Sequence, residues 1–99
     1  MIHAVVFTPA ANQDFLDSLD WYKTQKEGLD DRFEFAVIET IEAIGNNPLR
    51  YPIRHKNIRA IILKSFPFII FYKFEAREKQ VVVLAILHQS RNPKIWEKR

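Results

Sequence analysis

Three side chains with distinct chemistry follow one apolar segment near the end of the sequence. Residues 81–87 are wholly apolar, and His88, Arg91 and Trp96 lie within the next nine positions. An imidazole can transfer protons near neutral pH, and a guanidinium binds phosphate or carboxylate through paired donors. Two interpretations follow. Either a site is built at the end of a buried strand, or the tail is held in place by Pro93 and Trp96.

Composition limits the chemistry that these side chains can do. The chain has 99 residues, which is enough for one domain, residues 1–99, with a single core. It has no cysteine, which excludes disulfides and thiolate chemistry. His3, His55 and His88 are widely separated in sequence, and two glycines are too few for a glycine-rich phosphate loop. We therefore expect no metal and no cofactor.

The sequence also lacks the signals of membrane insertion and secretion. No apolar run approaches the roughly 20 residues that cross a bilayer, and the amino terminus has no basic stretch followed by an apolar region. The absence of cysteine fits a reducing compartment. We expect a cytoplasmic protein.

Charge is divided unequally along the chain. Residues 1–47 carry nine acids against three bases, a net charge of −6, whereas residues 48–99 carry twelve bases against three acids, a net charge of +9. A small domain polarised in this way is expected to present a basic surface to an anionic partner. That partner is either a nucleic acid or an acidic protein segment.

The first 26 residues predict one strand followed by one helix. Residues 2–7 are rich in β-formers, and Thr8 followed by Pro9 is typical of a helix start. Apolar residues then recur at helical spacing, and the helix is expected to end near Lys26. Trp21 and Tyr22, in the middle of this helix, are interpreted as core or hairpin packing rather than as a ligand site.

A second amphipathic helix is predicted after Gly28. Apolar residues recur at helical spacing over residues 29–44, and Asn46, Asn47 and Pro48 end the pattern. Because only a few residues join the two helices, they should lie antiparallel as a hairpin.

The second half predicts strands. Residues 49–57 contain four basic or histidine positions and are interpreted as a basic loop. Three strand candidates follow at residues 58–64, 68–74 and 81–87, and their short connections imply an antiparallel meander. The order β-α-α-β-β-β predicts an α+β domain. In it, an antiparallel helical hairpin packs on a mainly antiparallel four-stranded sheet, with the last strand buried in the sheet's centre.

These segments resemble the RelE/ParE superfamily of bacterial toxins. The resemblance lies in Arg59 followed by aliphatic residues, in the Phe-Pro-Phe and Phe-Tyr pairs of residues 66–72, and in the His-x-x-Arg-x-Pro-x-x-Trp pattern of residues 88–96. It spans nearly the whole chain. It implies the toxin of a type II toxin–antitoxin pair, often called a plasmid stabilisation protein, which inhibits growth when its cognate antitoxin does not neutralise it.

Two mechanisms follow from this resemblance. RelE-like members cut messenger RNA on the ribosome, whereas ParE-like members bind DNA gyrase. Metal-free RNA cleavage needs a base, an acid and cations for the phosphorane charge, and the candidate catalytic residues are Arg59, His88 and Arg91. The structural alternatives are a hydrogen-bonded His88, a partner-binding Arg59 and an Arg91 paired with an acid near the tail.

The acid-rich helices favour the ParE-like branch, in which the protein inhibits gyrase by binding. The first alternative is a ribosome-dependent messenger RNA endonuclease, and the second is an inactive toxin retained as an antitoxin partner. In each case we expect a cognate antitoxin that lays a helix across a groove or adds a strand to a sheet edge.

Overall fold

A five-stranded sheet carries a pair of helices on one face and a short helix on the other. The computed structural model describes residues 2–91 and 94–99. Its elements are β1 Ala4–Phe7, α1 Pro9–Gln25, α2 Leu29–Asn46, β2 Ile53–His55, β3 Ile58–Ile62, β4 Phe68–Glu75, β5 Gln80–His88 and α3 Lys94–Glu97. The strand order is β1-β5-β4-β3-β2. The α+β prediction is confirmed.

Local signals at the ends of the two long helices act as the sequence predicts. The Thr8 side chain accepts a hydrogen bond from the backbone N–H of Ala11 at 3.1 Å, and Pro9 occupies the first turn. The helix ends at Gln25. Gly28 then takes a left-handed conformation, with φ of 81°, and α2 begins at the next residue. The two helices pack against each other as a hairpin.

The structure corrects the strand count from four to five. The predicted basic loop contains β2, which pairs antiparallel with β3 at the edge of the sheet. A three-residue strand with arginine and histidine has no alternating apolar pattern, so its pairing depends on the neighbouring strand rather than on local propensity. The first strand, β1, pairs parallel with β5, and the other pairings are antiparallel.

Buried side chains form two clusters, one on each face of the sheet. The helix-side face packs against α1 and α2, and its core includes Phe33, Ile70 and Tyr72. The opposite face, which we call the far face, packs Phe71 and Leu87 against Trp96 of α3. Because β5 supplies residues to both clusters, its sequence is almost continuously apolar. This agrees with the predicted burial of the last strand.

The outer edge of β5 is partly closed by side chains instead of a strand. β1 pairs only with residues 80–83 of β5. Beyond them, the backbone N–H of Ile86 donates to the Asp14 carboxylate at 3.1 Å, and Arg99 donates to the carbonyl of Leu84 at 3.2 Å. Arg99 also forms an ion pair with Asp14. These contacts tie α1 and the end of the chain to β5.

Among the described residues, none of the helices has the length and apolarity needed to span a bilayer.

Candidate functional site

A pocket of about 250 Å³ lies on the far face of the sheet, at the end of β5. Its polar lining comes from β2, from the last residue of β5 and from the segment that follows β5, and its floor is apolar. The lining residues are Arg54, His88, Gln89 and Arg91 on the polar side, with Ile69, Phe71, Leu87 and Trp96 on the apolar side. We call this site the far-face pocket. It joins the predicted His88 and Arg91 to an arginine that is distant in sequence.

Arg54 reaches this pocket by strand alternation, because the preceding residue, Ile53, pairs with Arg59 on the helix-side face. The strand β2 also contains a bulge. Ile53 pairs with Arg59 and His55 pairs with Ile58, so Arg54 is the extra residue. A bulge of this kind changes the direction of the side chains that follow it. His55 accordingly contacts the Trp96 ring edge-on, with 5.9 Å between ring centroids.

Hydrogen-bond donors dominate the far-face pocket. Among the described residues that line it, none is acidic. Arg91 also lines a neighbouring cavity that contains Asp14 and Asp17. The indole N–H of Trp96 is buried and has no hydrogen-bond partner among the described residues. Guanidinium groups are suited to an acceptor that carries negative charge, such as a carboxylate or a phosphate.

The floor of the pocket also holds the end of the chain in place. Trp96 is 3% exposed and stacks on Phe71, with ring centroids 4.4 Å apart and planes at 13°. This contact confirms the predicted anchoring role of Trp96. The corresponding prediction for Pro93 lies outside the described residues. The sequence suggested either a site at the end of β5 or an anchored tail, and the far-face pocket combines the two, because the anchoring Trp96 is part of its floor.

The hydrogen bonds of His88 fix the form of its neutral ring. Its Nδ1 lies 3.0 Å from the backbone N–H of Ser90 and 2.8 Å from the Ser90 hydroxyl. Because a backbone N–H can only donate, Nδ1 must be the acceptor, and the proton of the neutral ring is on Nε2. In this form His88 presents a donor at Nε2 rather than a general base.

Arg91 lies next to His88, at the end of β5. Its backbone N–H donates to the His88 carbonyl at 2.9 Å, which closes a turn, and its side chain is exposed. The structure therefore brings together two of the three predicted site residues. Their chemical roles stay predictions.

Arg59 is not part of this group. Its neighbours Ile58 and Ala60 belong to the far-face cluster, so the alternation of a strand turns Arg59 toward the helix-side face. There its guanidinium donates to the carbonyls of Leu49 and Tyr51, at 3.2 and 2.7 Å. His88 turns to the same face, where its ring contacts Phe68 edge-on with 5.4 Å between ring centroids. The two residues are nevertheless apart, because Arg59 pairs with Tyr72 of β4 and His88 pairs with Phe68, four positions away.

A second cavity, of about 340 Å³, lies on the helix side of the same end of β5. His88 and Arg91 line it together with Trp21 and Asp17 of α1. The prediction that Trp21 is a packing residue is wrong, because its side chain is 56% exposed, whereas the adjacent Tyr22 is buried.

A larger cavity, of about 440 Å³, lies between α2 and the β3–β4 connection, and no predicted site residue lines it.

Sequence reasoning missed Arg54. The available signal was the density of basic residues in the segment 49–57, but nothing local distinguishes Arg54 from Arg50 or Lys56. Its selection depends on the pairing of β2 with β3, which sets the face to which each side chain turns. Within residues 2–91 and 94–99, no three histidine or acidic side chains are grouped so that they could hold a metal ion.

The arrangement of a helical hairpin, an antiparallel meander and a basic pocket at the last strand defines a small toxin-like α+β protein. A family model described as the ParE toxin of the type II toxin–antitoxin system parDE matches residues 5–93. The chain belongs to this family of ParE toxins.

Solved structures of related systems have the same fold. The chromosomal ParDE system from P. aeruginosa is 17% identical, with a TM-score of 0.68 over 88% of this chain and 96% of that chain. The RelBE2 toxin–antitoxin complex from Mycobacterium tuberculosis is 21% identical, with a TM-score of 0.64 over 92% and 95%. The intact E. coli RelBE complex is 13% identical, with a TM-score of 0.59 over 90% and 99%. At these identities the similarity is one of fold. A search of curated protein sequences finds no significant match.

Proposed function

We propose that this ParE-family toxin inhibits growth by binding a protein target, in the manner of ParE-like inhibitors of DNA gyrase, and that a cognate antitoxin neutralises it in the cytoplasm. The observation that carries this proposal is the separation of the three candidate catalytic residues. Arg59 donates to the carbonyls of Leu49 and Tyr51 and pairs with Tyr72, whereas His88 and Arg91 lie at the end of β5, where His88 pairs with Phe68. Metal-free RNA cleavage requires such groups around one phosphate.

The state of His88 supports the same proposal. General-base catalysis needs a free ring nitrogen, but Nδ1 is occupied by Ser90, and Nε2 carries the proton of the neutral ring. The acid-rich helical hairpin supports it as well, because a surface with nine acids and three bases repels an RNA backbone. Binding to a protein surface needs neither a base nor a uniformly positive surface.

The far-face pocket is the proposed contact site for the target. Arg54 and Arg91 can bind carboxylates of the target, and the apolar floor can accept an apolar side chain beside them. Arginine next to a buried aromatic residue is typical of the positions that contribute most to protein–protein binding.

A paired assay tests this function. Purified toxin is expected to inhibit supercoiling by gyrase, and the product of the neighbouring gene is expected to restore it. In parallel, primer extension on translating ribosomes should show no new RNA ends. Arg54→Ala and Arg91→Ala are expected to weaken gyrase inhibition, and Arg77→Ala, in the exposed β4–β5 turn, is the charge-matched control. Normal supercoiling at stoichiometric toxin would contradict the proposal.

The alternative is a ribosome-dependent messenger RNA endonuclease, and one observation favours it. The donors of the far-face pocket can bind a phosphate as readily as a carboxylate. New RNA ends that disappear in Arg91→Ala, with gyrase unaffected, would support this alternative. Full growth after strong induction without antitoxin would instead indicate an inactive toxin that is retained as an antitoxin partner.

An antitoxin partner is proposed on two grounds. The similar structures from P. aeruginosa, M. tuberculosis and E. coli are of toxin–antitoxin systems or complexes. In addition, the second half of this chain, with a net charge of +9, is complementary to an acidic or amphipathic segment. Isothermal titration with the product of the neighbouring gene should show tight binding, and the absence of heat would contradict this part of the proposal.

A further inference from the structure

The segment that joins α2 to β2 is held by side chains from the two adjacent strands, β3 and β4. The Tyr72 hydroxyl donates to the carbonyl of Pro48 at 2.6 Å. Arg59 donates to the carbonyls of Leu49 and Tyr51, at 3.2 and 2.7 Å. Three carbonyls of a connection without regular structure thus receive hydrogen bonds from side chains of the sheet, which satisfies groups that the connection cannot satisfy itself.

Backbone hydrogen bonds continue this attachment into β2. The Ala60 N–H donates to the carbonyl of Pro52 at 3.2 Å, and Ile53 then pairs with Arg59. The next residue is Arg54, which is the bulge residue of β2 and lines the far-face pocket. Arg59 therefore holds the chain at Tyr51, only three residues before Arg54, whose side chain lines the far-face pocket.

A guanidinium is well suited to this attachment. It is planar, keeps its charge and carries several N–H donors in a fixed arrangement, so one Arg59 nitrogen can reach two carbonyls of the same segment. A lysine ammonium has donors but lacks this planar geometry, and a methionine has similar length without any donor. Arg59 and Tyr72 are directly paired across β3 and β4, so the two donors act on the connection from adjacent positions.

The two arginines lie on opposite faces of the sheet. Arg59 points to the helix-side face with Tyr72, whereas Arg54 lines the far-face pocket with Trp96. A ligand in the far-face pocket that contacts Arg54 would therefore not contact the Arg59 guanidinium, which is already committed to two carbonyls. Any effect of Arg59 on such a ligand must pass through the backbone of β2.

We propose that Arg59 is a positioning residue that holds the connection before β2 and thereby fixes Arg54 in the far-face pocket. The part of this inference that concerns target binding rests on the proposed function, in which the far-face pocket contacts the target. The part that concerns the attachment of residues 49–55 stands on the hydrogen bonds alone.

Amide hydrogen exchange of the purified toxin tests the attachment. Arg59→Met should accelerate exchange in residues 49–55 by about tenfold while leaving the β4–β5 pairing protected. Arg59→Lys, which retains a donor, should give a smaller acceleration and provides a second variant if the methionine variant does not fold. Arg77→Met, in the exposed turn after β4, should change nothing. Unchanged exchange in residues 49–55 of both Arg59 variants would overturn the proposal.

A double-mutant cycle tests the route through Arg54. The readout is the inducer concentration that halves the growth rate without antitoxin, corrected for the amount of toxin in the cells. Arg54→Ala and Arg59→Met should each raise it by about tenfold, and the double variant should stay within about twofold of Arg54→Ala alone. Effects that multiply would show that Arg59 acts independently of Arg54 and would overturn the proposal.

The two tests also separate this inference from the proposed function. If Arg54→Ala leaves growth inhibition unchanged, the far-face pocket is not the contact site and the proposed function fails at that point. The exchange measurement still decides whether Arg59 holds the connection. If Arg54→Ala abolishes inhibition but exchange is unchanged in the Arg59 variants, the far-face pocket is the contact site for the target, and the positioning role of Arg59 is wrong.

Discussion

Replacement of Tyr72 by phenylalanine removes one hydroxyl from the most buried part of the sheet. The Tyr72 side chain is fully buried, and its hydroxyl donates to the carbonyl of Pro48 at 2.6 Å. The ring itself is retained, so packing against the helices changes little. The loss of one internal hydrogen bond is expected to lower the free energy of unfolding at pH 7 by about 1 kcal/mol.

The pH dependence makes this prediction specific. Burial raises the pKa of Tyr72 to about 12, with an opposing effect from the charge of Arg59, whereas an unfolded tyrosine has a pKa near 10. Between these values the unfolded chain loses a proton that the folded chain keeps, so stability falls as pH rises. This group should lower wild-type stability by about 1 kcal/mol at pH 11 and about 2 kcal/mol at pH 12.

The wild type and Tyr72→Phe should therefore exchange their order of stability as pH rises. The wild type is expected to be more stable below pH 10, the unfolding curves should coincide near about pH 11, and Tyr72→Phe should be the more stable protein at pH 12. Burial also raises the pKa of Tyr22, but Tyr22 is present in both proteins and does not affect the difference. Urea unfolding followed by circular dichroism at pH 8, 10, 11 and 12 measures it.

The control is Tyr51→Phe, which removes a hydroxyl from a half-buried ring. It should shift stability by less than about 0.5 kcal/mol at pH 8. Absorbance at 295 nm gives a second reading, since the ionisation near pH 12 should be missing only from Tyr72→Phe. A stability difference between the wild type and Tyr72→Phe that stays constant from pH 8 to pH 12 would refute the reasoning.

Three further predictions concern stability. Trp96→Ala removes a 3% exposed ring from its stack on Phe71 and should lower the free energy of unfolding by about 3–5 kcal/mol, measured by urea titration; Trp96→Phe should recover part of this. Asp14→Ala leaves the Ile86 N–H without its acceptor and Arg99 without its ion-pair partner, and it should cost about 1–3 kcal/mol, whereas Asp17→Ala on the same helix should change stability by less than about 0.5 kcal/mol. Gly28→Ala meets no atom within 4 Å of the new methyl group, so its φ of 81° alone should lower stability by about 1 kcal/mol, and Gly28→Asn should lower it less; an equal effect of the two would contradict this.

Most of the secondary structure could be predicted because its signals are local. The Thr8 and Pro9 pair begins α1, Gly28 separates the helices, and alternating or continuous apolar runs mark three strands, all of which act through neighbours in sequence. The order of these elements predicted the α+β fold, and the resemblance then indicated the family, with which the family match over residues 5–93 agrees. The short strand β2 escaped because pairing with β3, not its own composition, makes it a strand.

The candidate site was only partly predictable. His88 and Arg91 are close in sequence and remain close in the structure, so the sequence located them. Arg59 also carries a guanidinium, but it pairs with Tyr72 in the middle of β4 and donates to the carbonyls of Leu49 and Tyr51, away from the end of β5. Arg54 required knowledge of the pairing between β2 and β3, which no pattern in residues 49–57 predicts.

The sequence by itself determined the order of helices and strands, the unequal division of charge and the position of the tail motif, because these depend on residues within a few positions of one another. Only the tertiary structure decided which distant groups meet. Arg99 reaches Asp14 across 85 positions, and Arg54 joins His88 from the opposite side of β3 and β4. Such meetings depend on strand order, on the face to which each side chain turns and on one extra residue in β2, none of which is fixed by local preference.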